Sequence, residues 1–158
     1  MKNDNKGFSL IELIVVIAIM AILVGVMAPN VLKYVESSRE SADKQVADTL
    51  RTAVMTAMVD PSIAATDLPA AGAHPLADVA GTTNTFTKMV LSNAGATSTT
   101  DITNALKSKK LKGGAITVTI SSENEVVVTI ATSGWTFDTK SGQINAVGGG
   151  AGGGGGVG

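Results

Sequence analysis

Cysteine is absent from this 158-residue chain, which excludes disulfide bonds and thiolate metal sites. Histidine occurs once, at His74 between Ala73 and Pro75, a setting that reads as a loop residue rather than as a ligand or general base. Aromatic residues make up only 3% of the chain, so any core must be built from Val, Ile, Leu, Ala and Met. An excess of either charge is also missing: 12 Lys and Arg face 13 Asp and Glu, for a net charge of -1. Nucleic acid is therefore not an expected partner, because no general electrostatic attraction would draw it in. There is no phosphate loop of the GxxxxGK[ST] kind and no acidic cluster with calcium-loop spacing. Together these absences predict a chain without catalytic residues, cofactor or metal.

What is present is unevenly placed. The stretch "KGFSLIELIVVIAIMAILVGVMAPNV" runs from Lys6 to Val31, and between Phe8 and Ala28 only Ser9 and Glu12 interrupt it with polar side chains. About 20 helical residues cross a hydrocarbon core of about 30 Å, so a membrane helix fits. Lys2 and Lys6 precede the run and Lys33 is the first charge beyond it, which predicts a cytoplasmic N-terminus with the bulk of the chain outside. A cleaved secretory signal is the plainer alternative, with Val26-Met27-Ala28 as a loose cleavage pattern, but Pro29 obstructs that cut. Glu12 requires its own explanation. A carboxylate at a bilayer centre costs about 2.5 to 3.5 kcal/mol on insertion scales, so a partner cation or a special position is needed.

Pro29 lacks a backbone donor and crowds the preceding turn, which predicts a bend or local loosening of the helix between Gly25 and Pro29. Beyond it the pattern turns amphipathic. Val31, Val35, Ala42, Val46, Leu50, Ala53, Val54 and Ala57 form an apolar stripe, and Lys33, Glu36, Arg39, Glu40, Asp43, Lys44, Asp48 and Arg51 fill the other faces. A nearly continuous helix from Phe8 to Val59 would be about 78 Å long, with Asp60-Pro61 as its stop.

The segment from Pro61 to Thr85, rich in Pro, Ala and Gly, reads as a connecting loop with short helical pieces, followed by a weak helix near Phe86 to Leu91. Thr100 or Asp101 is placed to cap a short helix ending near Lys109, and the cluster Lys107, Lys109, Lys110 and Lys112 reads as its solvated end. Ile116, Val118 and Ile120 alternate with threonines, and Val126, Val128 and Ile130 alternate in turn, with "SSEN" between them: an antiparallel hairpin. "WTFDTKSGQI" reads as a second hairpin, turning at Ser141-Gly142 with Trp135 and Phe137 on one side. The glycine run of residues 148–158 has nothing to bury and is expected to be a flexible tail. The fold class is therefore α+β, one long helix with a small antiparallel sheet packed on the stripe.

The N-terminal stretch "KGFSLIELIVVIAIMAILVGVMAPNVLKYVES" resembles that of type IV pilins and pseudopilins. The points of likeness are a short charged leader, Gly7 before Phe8, Glu12 four residues after Phe8, and Pro29 inside the helix. The resemblance implies a pilin-like fold. It also implies that a leader of residues 1–7 is removed by a prepilin peptidase between Gly7 and Phe8, and that the new Phe8 amine is methylated by the same peptidase and methyltransferase. Residues 8–28 would then serve as membrane anchor and filament core, residues 60–147 as globular domain and residues 148–158 as tail. The implied partners are the cytoplasmic membrane before assembly, the pilus assembly platform proteins, and further copies of the chain in a helical filament at the cell surface. In such a filament, Glu12 of one subunit against the Phe8 amine of a neighbour neutralises both and sets registry, since four helical residues separate the groups by about 6 Å. Alternatively Glu12 satisfies its own chain's amine or the positive end of its helix. The implied function is a structural pilus subunit, with a pseudopilin of a type II secretion or competence system, or an uncleaved membrane-anchored binding domain, as the other readings.

Overall fold

Between residues 10 and 58 glycine occurs only at Gly25 and proline only at Pro29, and in the computed structural model this stretch is a single 49-residue helix, α1 (Leu10–Met58). The structure describes residues 9–147, so Gly7, Phe8 and the glycine run lie outside it. The chain divides into two compact units, Met1–Ser37 and Ser38–Gly158, and α1 contributes to both. The helix ends where expected. The Asp60 carboxylate accepts from the Ser62 amide at 2.8 Å and from the Ser62 hydroxyl, a local turn that replaces the next helical bonds. Both bonds favour the ionised form and hold Asp60 below its ordinary value.

In the second unit α1 buries Asp43, Ala47, Leu50, Ala53, Val54 and Ala57. The stripe is thus shorter than its spacing predicts: Val31 and Val35 are 54% and 42% exposed, and Ala42 is exposed as well. Periodicity tells which residues share a helix face but not how far along that face the covering elements extend. After a 3-10 turn (Ala65–Asp67) come β1 (Gly72–Pro75), α2 (Leu76–Val79), α3 (Thr85–Asn93) and α4 (Thr99–Ala105). The strands β2 (Ala115–Ile120), β3 (Val126–Ala131), β4 (Trp135–Asp138) and β5 (Ile144–Ala146) follow. The sheet is an antiparallel meander in the order β1-β2-β3-β4-β5.

Both expected hairpins are present. Ile116 faces Ile130, Val118 faces Val128 and Ile120 faces Val126, and all six are buried on one side of the sheet. The turn between β2 and β3 closes with Ser121 N–H on the Glu125 carbonyl at 2.9 Å, and Asn124 takes φ 62°, a left-handed conformation that asparagine tolerates well. His74 corrects the loop reading: it lies in edge strand β1 opposite Val118, with Nε2 2.7 Å from the Ala70 carbonyl. "GAHP" carries no β-branched residue, so only the open edge of β2 makes it a strand. Pro75, which cannot donate to a ladder, is tolerated there at the edge. The cap of α4 is Ser98 rather than Thr100 or Asp101, and the helix stops at Ala105, short of Lys109. Asp101 completes the capping box, accepting from Ser98 N–H at 2.9 Å and Thr97 N–H at 3.0 Å. Hydrogen bonds led by the Thr97 hydroxyl lower the Asp101 pKa. Its capping contribution is therefore present above the ordinary carboxylate value and lost as pH falls through the lowered one.

The core joins the α1 face to the inner face of the sheet, with Phe86, Val90, Leu106, Leu111 and Phe137 filling between them. Despite the scarcity of aromatics, Phe86 and Phe137 are both buried here. At the junction of loop and β2, a Cβ on Gly114 would come 2.9 Å from Ile130 Cγ2 and 3.0 Å from the Leu111 carbonyl, so only glycine fits.

Among the described residues one charged group is wholly inside. Asp43 is fully buried, and its carboxylate accepts from the Lys107 amide at 2.7 Å, the Ser108 amide at 3.0 Å and the Ser108 hydroxyl. Ser108 Oγ in turn accepts from Leu111 N–H at 3.2 Å. The lysine-rich loop is thereby bound to α1 through its backbone. Lys110 adds an ion pair with Glu40 at 2.9 Å and lies 4.6 Å from the centre of the Trp135 ring. The solvated reading of the cluster does not hold for Lys110. Farther along α1, Arg51 Nε donates to the Val126 carbonyl at 2.7 Å.

Removing the Asp43 carboxylate strands the Lys107 and Ser108 amides and the buried Ser108 hydroxyl, and Asp43→Ala should destabilise the domain by about 3 to 5 kcal/mol. Ser108→Ala, which leaves both amide bonds to Asp43 intact, should cost about 1 to 2 kcal/mol. Urea unfolding of a soluble fragment beginning after Pro29 measures both, and equal effects would show that the carboxylate is not the anchor.

Candidate functional site

The first unit has no buried face. From Leu10 to Val31 the apolar side chains are exposed in every direction around α1, for example Leu10 at 75%, Ile22 at 68% and Met27 at 62%. Successive helical residues point about 100° apart, so an uninterrupted apolar run covers the whole circumference instead of one stripe. Each large side chain left in water forfeits about 1.5 to 3 kcal/mol relative to burial, which requires lipid or other apolar helices around this segment. Its most apolar window has a mean hydropathy of 3.0, and α1 is long and apolar enough there to cross a membrane.

Glu12 is the single charged residue between Ser9 and Leu32. Its carboxylate accepts the Ser9 backbone N–H at 2.8 Å, while Leu13 N–H donates to the Ser9 carbonyl at 3.2 Å to close the first helical turn. Ser9 thus stands at the N-cap and Glu12 three residues on, the arrangement in which an acidic side chain reaches back to an otherwise orphaned donor. The negative charge also sits at the positive end of the helix dipole. Glu12 is therefore bonded within its own chain, at the helix start. Its donor in this chain is the Ser9 amide, and the Phe8 amine expected as its partner lies outside the described residues. The signal was in the sequence: "SLIE" has the S-x-x-E spacing of a capping box.

Gly25 and Pro29 lie within α1, whose helical assignment is unbroken across them. They are separated by the span of one helical hydrogen bond, so the donor that Pro29 lacks is the one the Gly25 carbonyl would have received. A Cβ at Gly25 would meet nothing within 4 Å, so no packing inside this chain demands glycine there. The expected cleavage and methylation positions, Gly7 and Phe8, lie outside the described residues.

Elsewhere, Ala42, Val46, Leu50, Ala96, Ile102 and Ala105 contribute to an open groove of about 400 Å³ beside α1. Asp101, on its rim, is committed to capping α4. Among the described residues no three His, Cys, Asp or Glu side chains come together as a metal site. The buried Asp43 was also missed on reading the sequence, where it was assigned to a polar face. The available signal was its position, four residues before Ala47 on the buried stripe.

Residues 2–28 match the family described as the prokaryotic N-terminal methylation motif. The chain is similar to the type IV major fimbrial protein FimA of Dichelobacter nodosus, 38% identical over 60 residues that make up 38% of each chain. It is 50% identical over 44 residues to the prepilin peptidase-dependent protein A of Clostridium perfringens, covering 28% of this chain and 31% of that one. A fimbrial protein of Moraxella nonliquefaciens is 41% identical over 54 residues, 34% of this chain and 35% of the relative. The chain thus matches only 31% to 38% of the length of these relatives. No solved structure matches it.

If Glu12 caps the helix, Glu12→Gln retains an acceptor for the Ser9 amide and Glu12→Ala does not. Hydrogen exchange in detergent micelles should show Ser9 and the first turn opening about fivefold faster in the alanine variant, the rate equivalent of about 1 kcal/mol, and little change in the glutamine variant. Equal exchange in all three proteins would remove the cap from the account.

Proposed function

We propose that this chain, carrying the N-terminal methylation motif over residues 2–28, is a type IV pilin: a structural subunit that polymerises through its apolar helix into a surface filament. The observation that carries the reading is a methylation motif leading directly into a helix that is apolar on every side and opens with an N-capping glutamate. The names of its relatives agree with it.

In this reading the precursor is a single-pass protein of the cytoplasmic membrane, oriented by Lys2 and Lys6. A prepilin peptidase cuts between Gly7 and Phe8, where a residue without a side chain lets the enzyme approach the backbone. The freed Phe8 amine is cationic near neutrality, with a reference pKa of about 7.7 to 8.0, and methylation keeps that charge. The helix then moves, through the assembly platform proteins, from lipid into a bundle of identical helices. Both surroundings are apolar, so the transfer is decided by packing and by the few polar groups.

Glu12 is the chief of these groups. An ionised carboxylate offers about four acceptor positions, and the Ser9 amide uses one of them. The remaining capacity can receive the Phe8 amine of a neighbouring subunit, so one residue would cap its own helix and set the stagger of the next. Gly25 and Pro29 serve as the point where α1 loosens when subunits are drawn into the filament. The proposed divisions are a leader of residues 1–7, an anchor of 8–28 and a globular domain of 60–147.

Intact-mass analysis of surface filaments should return a chain that begins with methylated Phe8, and a bulky replacement at Gly7 should block processing. Retention of Met1 to Gly7 in filaments would exclude the reading. Glu12→Ala and Glu12→Gln should both enter the membrane pool normally, while filament counts fall by about tenfold as the charge pair is lost. Wild-type filament numbers in both variants would refute the registry role of Glu12.

A further inference from the structure

Among the described residues this chain places every aromatic side chain but one inside or under a neighbour. Phe86 and Phe137 are fully buried, and Trp135 is half-buried beneath Lys110. Tyr34, the single tyrosine, is 76% exposed on α1. A lone exposed aromatic is ordinary on a soluble surface, but Tyr34 directly follows Lys33, the first charge after the apolar run. Between Glu12 and Lys33 lie the 20 residues 13–32, with Asn30 as their one polar side chain. At 1.5 Å per residue they rise about 30 Å, which is the thickness of a hydrocarbon core.

Lys33 and Tyr34 favour the boundary of such a core for opposite reasons. A lysine ammonium is costly in hydrocarbon, but at the boundary its long stem lets it extend to a headgroup phosphate, an anion that complements it. Tyrosine combines an apolar ring with a hydroxyl that donates to phosphate or ester oxygens, so it favours the headgroup level over water. If α1 slid inward, Lys33 would enter hydrocarbon; if it slid outward, Tyr34 would enter water. Each residue therefore opposes one direction of slip. Glu36 and Arg39, the next charges along α1, have interactions of their own and are not part of the pair.

We propose that Lys33 and Tyr34 form a contact with the phospholipid headgroup layer on the outer side of the membrane and fix the depth of α1, with Glu12 level with the inner boundary. The partner is a lipid surface because the apolar run ends here, because its length matches a bilayer core, and because the charge that follows it complements phosphate. The outer boundary then falls four residues beyond Ala28, the end of the anchor proposed above. This inference rests on the single-pass membrane reading and adds to it the residues that meet the lipid headgroups.

The test uses the full-length chain in right-side-out membrane vesicles. The chain has no cysteine, so single cysteines labelled by a membrane-impermeant maleimide report depth. Residues two apart on a helix point about 200° apart, so Leu32→Cys reports on Tyr34 variants and Val35→Cys on Lys33 variants without being uncovered by the lost side chain itself. Tyr34→Ser should let α1 slide outward and raise labelling of Leu32→Cys by about threefold, whereas Lys33→Leu should let it slide inward and lower labelling of Val35→Cys by about threefold. Tyr34→Trp and Lys33→Arg keep the interfacial ring and the charge and should leave labelling unchanged. Equal labelling with tyrosine and serine at position 34, or with lysine and leucine at position 33, would overturn the contact. Labelling of Met20→Cys as rapid as that of Val35→Cys would instead overturn the membrane reading on which it rests.

Discussion

An α-helix satisfies its own backbone everywhere except at its ends, and that rule sets the terms for α1. Where its side chains are apolar all round, the helix can live in lipid or among other helices at no cost in hydrogen bonds, but its first amides still need acceptors. Ser9 and Glu12 supply the cap at the point of greatest need. A carboxylate in this place completes the helix terminus and puts its negative charge at the positive end of the helix dipole. The apparent misfit of one acidic residue in an apolar run is then a consequence of where the helix begins.

The globular unit meets the same rule with different means. Its polar groups inside are few and every one is accounted for: among the described residues no buried side-chain nitrogen or oxygen lacks a partner. Asp43 is the extreme case, a buried carboxylate held by two amides and a hydroxyl. Its neighbours on α1 are Ala47, Leu50 and Val54, which can anchor a sheet but cannot fix a loop that has no regular structure. Hydrogen bonds to backbone amides do so regardless of which side chains the loop carries. The loop is thus fixed by its backbone, whatever its lysine side chains contact.

A chain with hardly any aromatic residues and no disulfide might be expected to pack loosely. The structure answers with placement: Phe86 and Phe137 are both fully inside, Trp135 lies under Lys110, and Gly114 permits an approach that any side chain would block. The sheet has two edges, the short β1 and β5, and Pro75 blunts one of them. Such short, interrupted edges discourage strand-to-strand aggregation.

Wherever a pattern repeats over neighbouring residues, the sequence by itself determined the outcome. The apolar run from Phe8, the helix stop at Asp60-Pro61, the β2–β3 alternation and the capping signature "SLIE" are all local, because helix and strand periods and caps depend on residues within four positions of each other. Tertiary structure alone decided what depends on distant partners. His74 became a strand residue because β2 offered an edge, and Asp43 became an internal anchor because a loop about 65 residues later presents its amides there. Val31 and Val35 stayed exposed although they continue the stripe, and Lys110 left the solvent for Glu40 and Trp135. Side-chain spacing records which way a residue faces, whereas what it meets is set by long-range packing, where burial and hydrogen bonding outweigh the small differences in local propensity.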